Sequence, residues 1–455
     1  MTKQRCDNVE VSVILPSLNV RNYIEECLEH VLMQSLQEIE IICVDAGSTD
    51  GTRQILSDFS AKDARIKIID SPRKSYGYQV NLGLHEATGQ YVAIVDTDDF
   101  IESDMYERLY HIAESNQANL AKGGFYQFFK YNDTYQELKQ TNGNVSIDDE
   151  YRVITAPKED DLYKMWSNIG PIWAGIYNRE FLLQNDIWLN ETPGASFQDT
   201  SFHMMVALNA KKAVYLWDCF YHYRTDREEA SVKSNAKIAC VIDEYRYIEK
   251  YMQDHGMKLE NQYNYVLKNK LYTYFWNLER LDEQAQKQFM ELISKEMDEY
   301  QMDGAYISCL SDKEKTLHRY LSDWEYYNEY KKQKESYYEI FRCLVQEIKQ
   351  DKQFVIVGAG NYLNGLLFLK QFLGKNFIVA ICDNSKQKQG KNVEGYVIKS
   401  VEETVKNHPK HKWIVANKYY ADQIKQQIQS LGIEENQIFT LKYIPGPFEM
   451  IEFLM

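Results

Sequence analysis

Four consecutive residues, Asp96-Thr97-Asp98-Asp99, hold the densest potential chemistry in this chain of 455 residues. They follow a short apolar run over 91–95, so at the end of a strand their carboxylates would face whatever gathers there. Two carboxylates one residue apart, Asp96 and Asp98, suit a hard cation, because Mg²⁺ takes one or two carboxylates together with phosphate oxygens. Such a cation neutralises charge that grows on a departing diphosphate. The bland use of the same residues is an acidic turn capping a helix that begins near Asp104. A second segment, Asp45-Ala46-Gly47-Ser48-Thr49-Asp50, also closes an apolar run and opens a helical pattern. Its Ser, Thr and Asp side chains suit helix capping and Gly47 a tight turn, while Asp45 could accept hydrogen bonds from a ribose or a base. A third segment, 358–365, is glycine-rich and opens a helix, where backbone N–H groups can cradle a phosphate. Asp383 ends the strand that follows, the place of a ribose-binding acid in a dinucleotide site. The spacing departs from that fingerprint, since Asn361, Tyr362, Leu363 and Asn364 all precede the third glycine. A structural or accessory nucleotide-binding role suits this segment better than redox chemistry.

These candidates depend on the elements that place them. Short apolar runs predict strands over 10–15, 39–44, 66–69 and 91–95, separated by helical patterns over 22–35, 52–60 and 76–87. Such alternation implies right-handed crossovers and a largely parallel sheet. Ligands of such sheets bind beyond the carboxyl ends of the strands, which singles out 16–19, 45–50 and 96–99. From about 235 to 349 glycine and proline nearly vanish, and Tyr, Leu, Ile, Glu and Lys recur at helical spacing. The aromatic stripe of this stretch reads as core, or as a surface for a partner. Strands over 354–357, 377–382 and 413–416 then predict a small α/β domain of Rossmann type. The expected fold is α/β, divided into 1–232 with a mixed, mostly parallel sheet, a helical region over 233–350, and the Rossmann-like domain over 351–455.

Composition narrows the partners. The formal net charge of -15 argues against nucleic acid, whose phosphates are held by concentrated Lys and Arg. The eight cysteines are scattered, with no zinc spacing and no C-x-x-C pair. Those inside apolar runs, such as Cys43 and Cys382, read as small buried hydrophobes, and a reducing cytoplasm is the simple expectation. The first residues are polar, and no run approaches the ~20 apolar residues of a membrane helix.

Taken in order, Val11 to Asn19 through Pro16, Ile41 to Asp50 through Asp45, Asn81-Leu82-Gly83, and Val95 to Asp99 resemble the motifs of the family 2 glycosyltransferases of GT-A fold. The resemblance covers about 10–232. It implies a nucleotide-sugar donor bound by Pro16, Asp45, Asn81, Asp96 and Thr97, and a divalent cation, Mn²⁺ or Mg²⁺, at Asp98. Ala46 stands where the family commonly has a second acidic residue facing the base; a UDP-sugar is favoured, and Ala46 weakens that choice. The stretch from Pro193 to Phe202 resembles the family's Glu-Asp motif, with Gln198 for the usual Glu. Asp199 is retained as the implied general base, a role that competes with an N-cap for a helix over 201–210. The stretch 220–231 resembles the segment that closes over the donor diphosphate. There Arg224, Arg227 and Ser231 would hold phosphates. His222 would either complete the metal shell or pack among tyrosines. Trp166, Trp173 and Trp188 suit either stacking on a sugar or anchoring a core.

The expectation is an inverting glycosyltransferase of bacterial surface-polysaccharide synthesis, acting on a glycan or lipid-linked glycan. It implies a cytoplasmic chain at the inner face of the membrane, and allows a homo-oligomer. The alternatives are an oxidoreductase working through 351–455, a non-catalytic nucleotide-binding scaffold, and hydrolysis of the donor by water.

Overall fold

The computed structural model describes residues 9–131, 134–140, 150–155, 171–195, 197–225, 237–257, 260–302, 304–446 and 449–450. The chain forms two compact units, Met1–Ser322 and Asp323–Met455.

The first unit opens with β1 (Val11–Ser17), α1 (Ile24–Leu32), β2 (Ile39–Asp45), α2 (Thr52–Ser60), β3 (Ile66–Asp70), α3 (Tyr76–Glu86) and β4 (Tyr91–Ile94). It continues through β5 (Phe100–Ile101), α4 (Met105–Asn116), β6 (Leu120–Tyr131), β7 (Thr134–Gln140), β8 (Tyr151–Thr155) and β9 (Gly175–Asn178). Next come α5 (Arg179–Gln184), α6 (Gln198–Asn209) and β10 (Lys212–Arg224). All these strands share one sheet, in the order β3-β2-β1-β4-β9-β6-β10-β5, with β7 beside β6 and β8 beside β10. Strands β3, β2, β1 and β4 are parallel neighbours, and β9 runs antiparallel between β4 and β6. The sheet is therefore mixed but mostly parallel on the side that carries the Asp motifs.

The apolar runs of the sequence explain this core. β1 is buried at every position, as a strand covered on both faces must be. α1 buries Ile24, Cys27, Leu28 and Val31, the i, i+3, i+4, i+7 stripe of an amphipathic helix. Each aliphatic side chain so buried contributes about 1.5–3 kcal/mol. Gly83 sets the distance of α3 from the sheet: a Cβ there would lie 2.5 Å from Cγ2 of Ile14. Only glycine lets α3 settle this close on β1. That packing delivers Tyr76, the first residue of α3, to the strand ends.

Five helices complete the unit: α7 (Cys240–Asp254), α8 (Glu260–Arg280), α9 (Glu283–Met302), α10 (Gly304–Cys309) and α11 (Asp312–Ser322). Tyr245, Tyr251, Tyr265 and Tyr274 are buried here, so much of the aromatic stripe is core. Lys270 is buried too, and its ammonium reaches the carboxylates of Glu249 and Glu296.

The second unit holds α12 (Trp324–Lys349), β11 (Phe354–Val357), α13 (Asn361–Leu373), β12 (Ile378–Cys382), β13 (Asn392–Val393) and β14 (Tyr396–Val397). After them come α14 (Val401–Asn407), β15 (Lys412–Ala416), α15 (Ala421–Ser430) and β16 (Ile438–Leu441). Its four-stranded sheet, β12-β11-β15-β16, is wholly parallel. Phe341, Leu344, Val345 and Ile348 of α12 pack on one face against Ile356, Leu366 and Ile414. Among the described residues, no helix is long and apolar enough to cross a membrane.

Candidate active site

The carboxyl ends of β1, β2 and β4 lie side by side, because Ser17 pairs with Asp45 and Ile14 with Ile94. The loops that leave them are laced together. Asp45 accepts from the hydroxyl of Ser48 at 2.5 Å, and the amide carbonyl of Asn19 accepts from the N–H of Thr49 at 2.9 Å. Asn19 takes a left-handed conformation, φ 54°, which its short polar side chain tolerates. The hydroxyl of Thr97 donates to the carbonyl of Pro16 at 3.0 Å, tying the Asp cluster to the end of β1.

Within the cluster the carboxylates have separate tasks. Asp99 is buried, and it accepts from the phenol of Tyr221 at 2.8 Å and from the backbone N–H of Arg224 at 2.8 Å. Burial and the neighbouring charges of Asp98 and Asp96 hold its carboxyl well above the usual range. Asp96 is half-buried and accepts from the phenol of Tyr76 at 2.8 Å. Asp98 is also half-buried, and its charge acts on the phenols of Tyr76 and Tyr223.

A cavity of about 260 Å³ opens at this edge. Asp96, Tyr76 and Tyr223 line it together with Asp199, Gln198 and Phe197. Trp173 belongs to its wall; it is buried, stacks on Tyr221 at 4.0 Å between ring centres, and meets Phe125 edge-on. Asp96 and Asp199, more than a hundred residues apart in sequence, are thus brought into one cavity.

Asp199 does not cap its helix. Phe197 occupies that position at φ 66°, and Asp199 is the second helical residue of α6. Gln198 explains its own identity: its amide nitrogen donates to the Thr192 carbonyl, the Thr192 hydroxyl and the Gly194 carbonyl, which a carboxylate could not do. Asp199 is exposed to the cavity, and desolvation by the protein around it raises its carboxyl above the usual range. The helix N–H groups of Thr200 and Asp199, and the charge of Lys122, oppose part of that rise. Lys122 is buried, donates to the Pro171 carbonyl at 2.6 Å, and is itself lowered by burial to about 7.

Other expected site residues have structural partners. Asn81 is buried and grips the backbone of Leu189 twice, donating to its carbonyl and accepting from its N–H at 2.9 Å each. Arg224 is buried over Tyr23 and Phe128, and donates to the Asp98 carbonyl at 3.0 Å and to Glu26 at 2.8 Å. Its guanidinium thus bonds the backbone of the Asp cluster, at the residue for which the resemblance implies a phosphate contact. His222 stacks between Phe100 and Tyr126, and its ring nitrogens meet Glu102 at 2.9 Å and Glu137 at 2.8 Å. Both nitrogens a metal would use are thereby engaged. Trp188 stacks on His85 and bonds Asp186, remote in role from the cavity wall. Arg227, Ser231 and Trp166 lie outside the described residues.

The sequence reading passed over Tyr76, Lys122, Tyr221 and Tyr223. Lys122 left a signal, a lysine inside the apolar run that becomes β6. The tyrosines left none, because a phenol on a half-apolar strand reads equally well as core.

Among the described residues, no group of three or more His, Cys, Asp and Glu side chains is arranged to hold a metal. The donor set does fit a cation shared with a diphosphate, which needs only one or two carboxylates, and Asp98 with Asp96 supplies those.

In the second unit, Gly358 turns the chain at φ 111°, and Asp383 accepts from the N–H groups of Ala359 at 2.7 Å and Ser385 at 2.8 Å, and from Lys388 at 3.1 Å. Asp383 is thus part of the glycine loop's own scaffold.

Comparison with known proteins agrees with this architecture. Residues 12–182 match Glycosyl transferase family 2, and residues 350–439 match the C2185-like, N-terminal family. The uncharacterized glycosyltransferase EpsJ of Bacillus subtilis is 32% identical over 217 residues, 47% of this chain and 60% of that protein. Glycosyltransferase GlyA of Streptococcus pneumoniae is 32% identical over 224 residues, 47% of this chain and 30% of that protein. The chain thus spans less than two thirds of either relative. The crystal structure of S. aureus TarS superposes with a TM-score of 0.52 at 20% identity, covering 70% of this chain and 54% of that one, which speaks for the fold. Over residues 12–182 the chain is thus similar to Glycosyl transferase family 2, and its sheet with Asp-bearing strand ends has the arrangement of a GT-A fold.

Proposed function

We propose that the chain transfers a sugar, with inversion, from a nucleotide-sugar donor to a hydroxyl of a glycan acceptor in bacterial surface-polysaccharide synthesis. The observation that carries this reading is the single cavity lined by both Asp96 and Asp199. Asp96 lines that cavity, and Pro16, Asp45 and Thr97 at the neighbouring strand ends are proposed to frame the nucleotide, with Arg227 and Ser231 kept as proposed phosphate contacts. Asp98, with Asp96, would hold Mn²⁺ or Mg²⁺, which when bound neutralises charge on the departing diphosphate. A UDP-sugar is the favoured donor.

Asp199 accepts the proton of the acceptor hydroxyl as that oxygen bonds the anomeric carbon. The bond from that carbon to the diphosphate breaks on the opposite face, and the nucleoside diphosphate leaves as an anion. A base on the face away from the leaving group is what inverts the anomeric centre, as in inverting glycoside hydrolysis. A carboxylate suits the task because it bonds the hydroxyl in the ground state and keeps its proton afterwards. Burial helps, since a raised carboxyl is a stronger base once ionised.

A panel of nucleotide sugars, each incubated with the protein and Mn²⁺ or Mg²⁺, tests the reading by release of free nucleotide. Release from one donor, lost in Asp98→Ala and with EDTA, is the expected result. No release from any donor would overturn it.

A further inference from the structure

A second cavity, of about 270 Å³, adjoins the first at Asp199. It shares Pro171, Ile172 and Asp199 with the first, so the proposed base stands on the wall between the two. The remaining lining comes from three helices: Thr200, His203 and Met204 of α6, Tyr245 of α7, and Asn269 and Thr273 of α8. Asn269 and Thr273 sit one turn apart, and so share a face of α8. α7 and α8 follow the sheet domain in sequence, so they extend the site beyond the strand ends.

The chemistry of this lining is selective. It offers hydroxyl, amide and imidazole groups against the apolar surfaces of Ile172, Met204 and Tyr245, the mixture that recognises a sugar ring by its hydroxyls and its C–H faces. Tyr245 and Thr273 hydroxyls are already bonded to each other at 2.9 Å, which fixes their directions. Among the described lining residues none is Lys or Arg, and the carboxylate present, Asp199, would repel an anion. Glu244 is buried within reach of the charge of Asp199, and desolvation raises its carboxyl to about 8. Among the described lining residues no permanently charged cation would compensate a phosphate taken out of water.

We propose that this second cavity binds the uncharged terminal sugar of the acceptor, delivering its hydroxyl to Asp199, while any phosphate of the acceptor stays outside. The proposal rests on the transferase reading above and assigns its acceptor class.

The test uses the whole chain and two probes, neutral p-nitrophenyl hexosides and the corresponding hexose 1-phosphates. Binding is read by saturation-transfer NMR without donor, and transfer by product formation with the donor found in the panel. Neutral hexosides should bind and accept, and hexose 1-phosphates should do neither. Asn269→Ala and Thr273→Phe should each weaken hexoside binding and raise acceptor KM at least about tenfold, the loss expected from one or two polar contacts. Donor KM and release of nucleotide to water should stay unchanged, which also reports an intact fold. Equal use of the phosphates, or hexoside binding untouched by both substitutions, would overturn the proposal while leaving the transferase reading in place. Absence of nucleotide release in the wild-type chain would instead remove the transferase reading, and the acceptor assignment with it.

Discussion

The phenol of Tyr221 joins the two ends of the Asp motif: it donates to Asp99 Oδ2 at 2.8 Å and accepts from the backbone N–H of Asp96 at 3.1 Å. One hydroxyl on β10 therefore sets the direction of the loop after β4. Trp173 stacks on the same ring and forms the cavity wall, so the aromatic layer and the carboxylate cluster are one construction.

Tyr221→Phe keeps that stack and removes the hydroxyl. A buried acceptor on Asp99 is left unpaired, and the expected cost is about 1–3 kcal/mol of stability. Urea unfolding should show a lower midpoint with an unchanged slope, and donor KM should rise because Asp96 loses its anchor. An unchanged midpoint would show that Asp99 finds another donor.

Asp199→Asn should lower kcat by about 10²–10⁴ while leaving nucleotide binding near wild type, since an amide keeps the shape and cannot take a proton. Initial rates against calorimetric binding of the donor nucleotide separate the two effects. A kcat near wild type would mean that another group is the base.

The pH profile follows from the surroundings of Asp199. Burial raises its carboxyl, and it must be ionised to act, so kcat/KM should rise with pH through an acid limb above the ordinary carboxylate range. Lys122→Met removes a positive charge that favours the ionised form, so the limb should move to higher pH. The shift should be clearest below about 7, where Lys122 is itself charged. A limb that stays in place would mean that Lys122 acts only through Pro171.

Asp98→Ala should abolish metal-stimulated nucleotide release and weaken Mn²⁺ binding, read by electron paramagnetic resonance of the free ion. Unaltered Mn²⁺ binding with the nucleotide present would move the cation elsewhere.

Asp383→Ala probes the second unit. Burial alone would raise this carboxyl, but the N–H groups of Ser385 and Ala359 and the charge of Lys388 outweigh it and hold it below the usual range. A depressed carboxyl stabilises the fold above its unfolded pKa, and that contribution is lost as pH falls through the folded value. Calorimetry should show a melting-temperature gap between wild type and variant at neutral pH, closing below about pH 4. Nucleotide release should be unaffected; a loss of release would tie this unit to the transfer reaction.

Much of this protein was legible in one dimension. Strands such as β1 and β11 are short, mostly apolar runs between helical patterns, which is how strands covered on both faces read in sequence. The Asp96–Asp99 motif was legible because turn and acid are adjacent in sequence and follow such a run. What tertiary structure alone decided is which polar side chain serves the cavity and which serves the scaffold. Asn81, Arg224 and His222 have the chemistry of a site, and the fold gives them partners the sequence does not show: Leu189 for Asn81, Glu26 and the Asp98 carbonyl for Arg224, and Glu102 and Glu137 for His222. Several of these partners are more than a hundred residues away, a separation at which local pattern carries no information. The physical reason is that a buried donor or acceptor must be paired, and only the packed chain shows with what. The sequence could name the acids; the fold placed Asp96 and Asp199 in one cavity and lined the next with helices α6, α7 and α8.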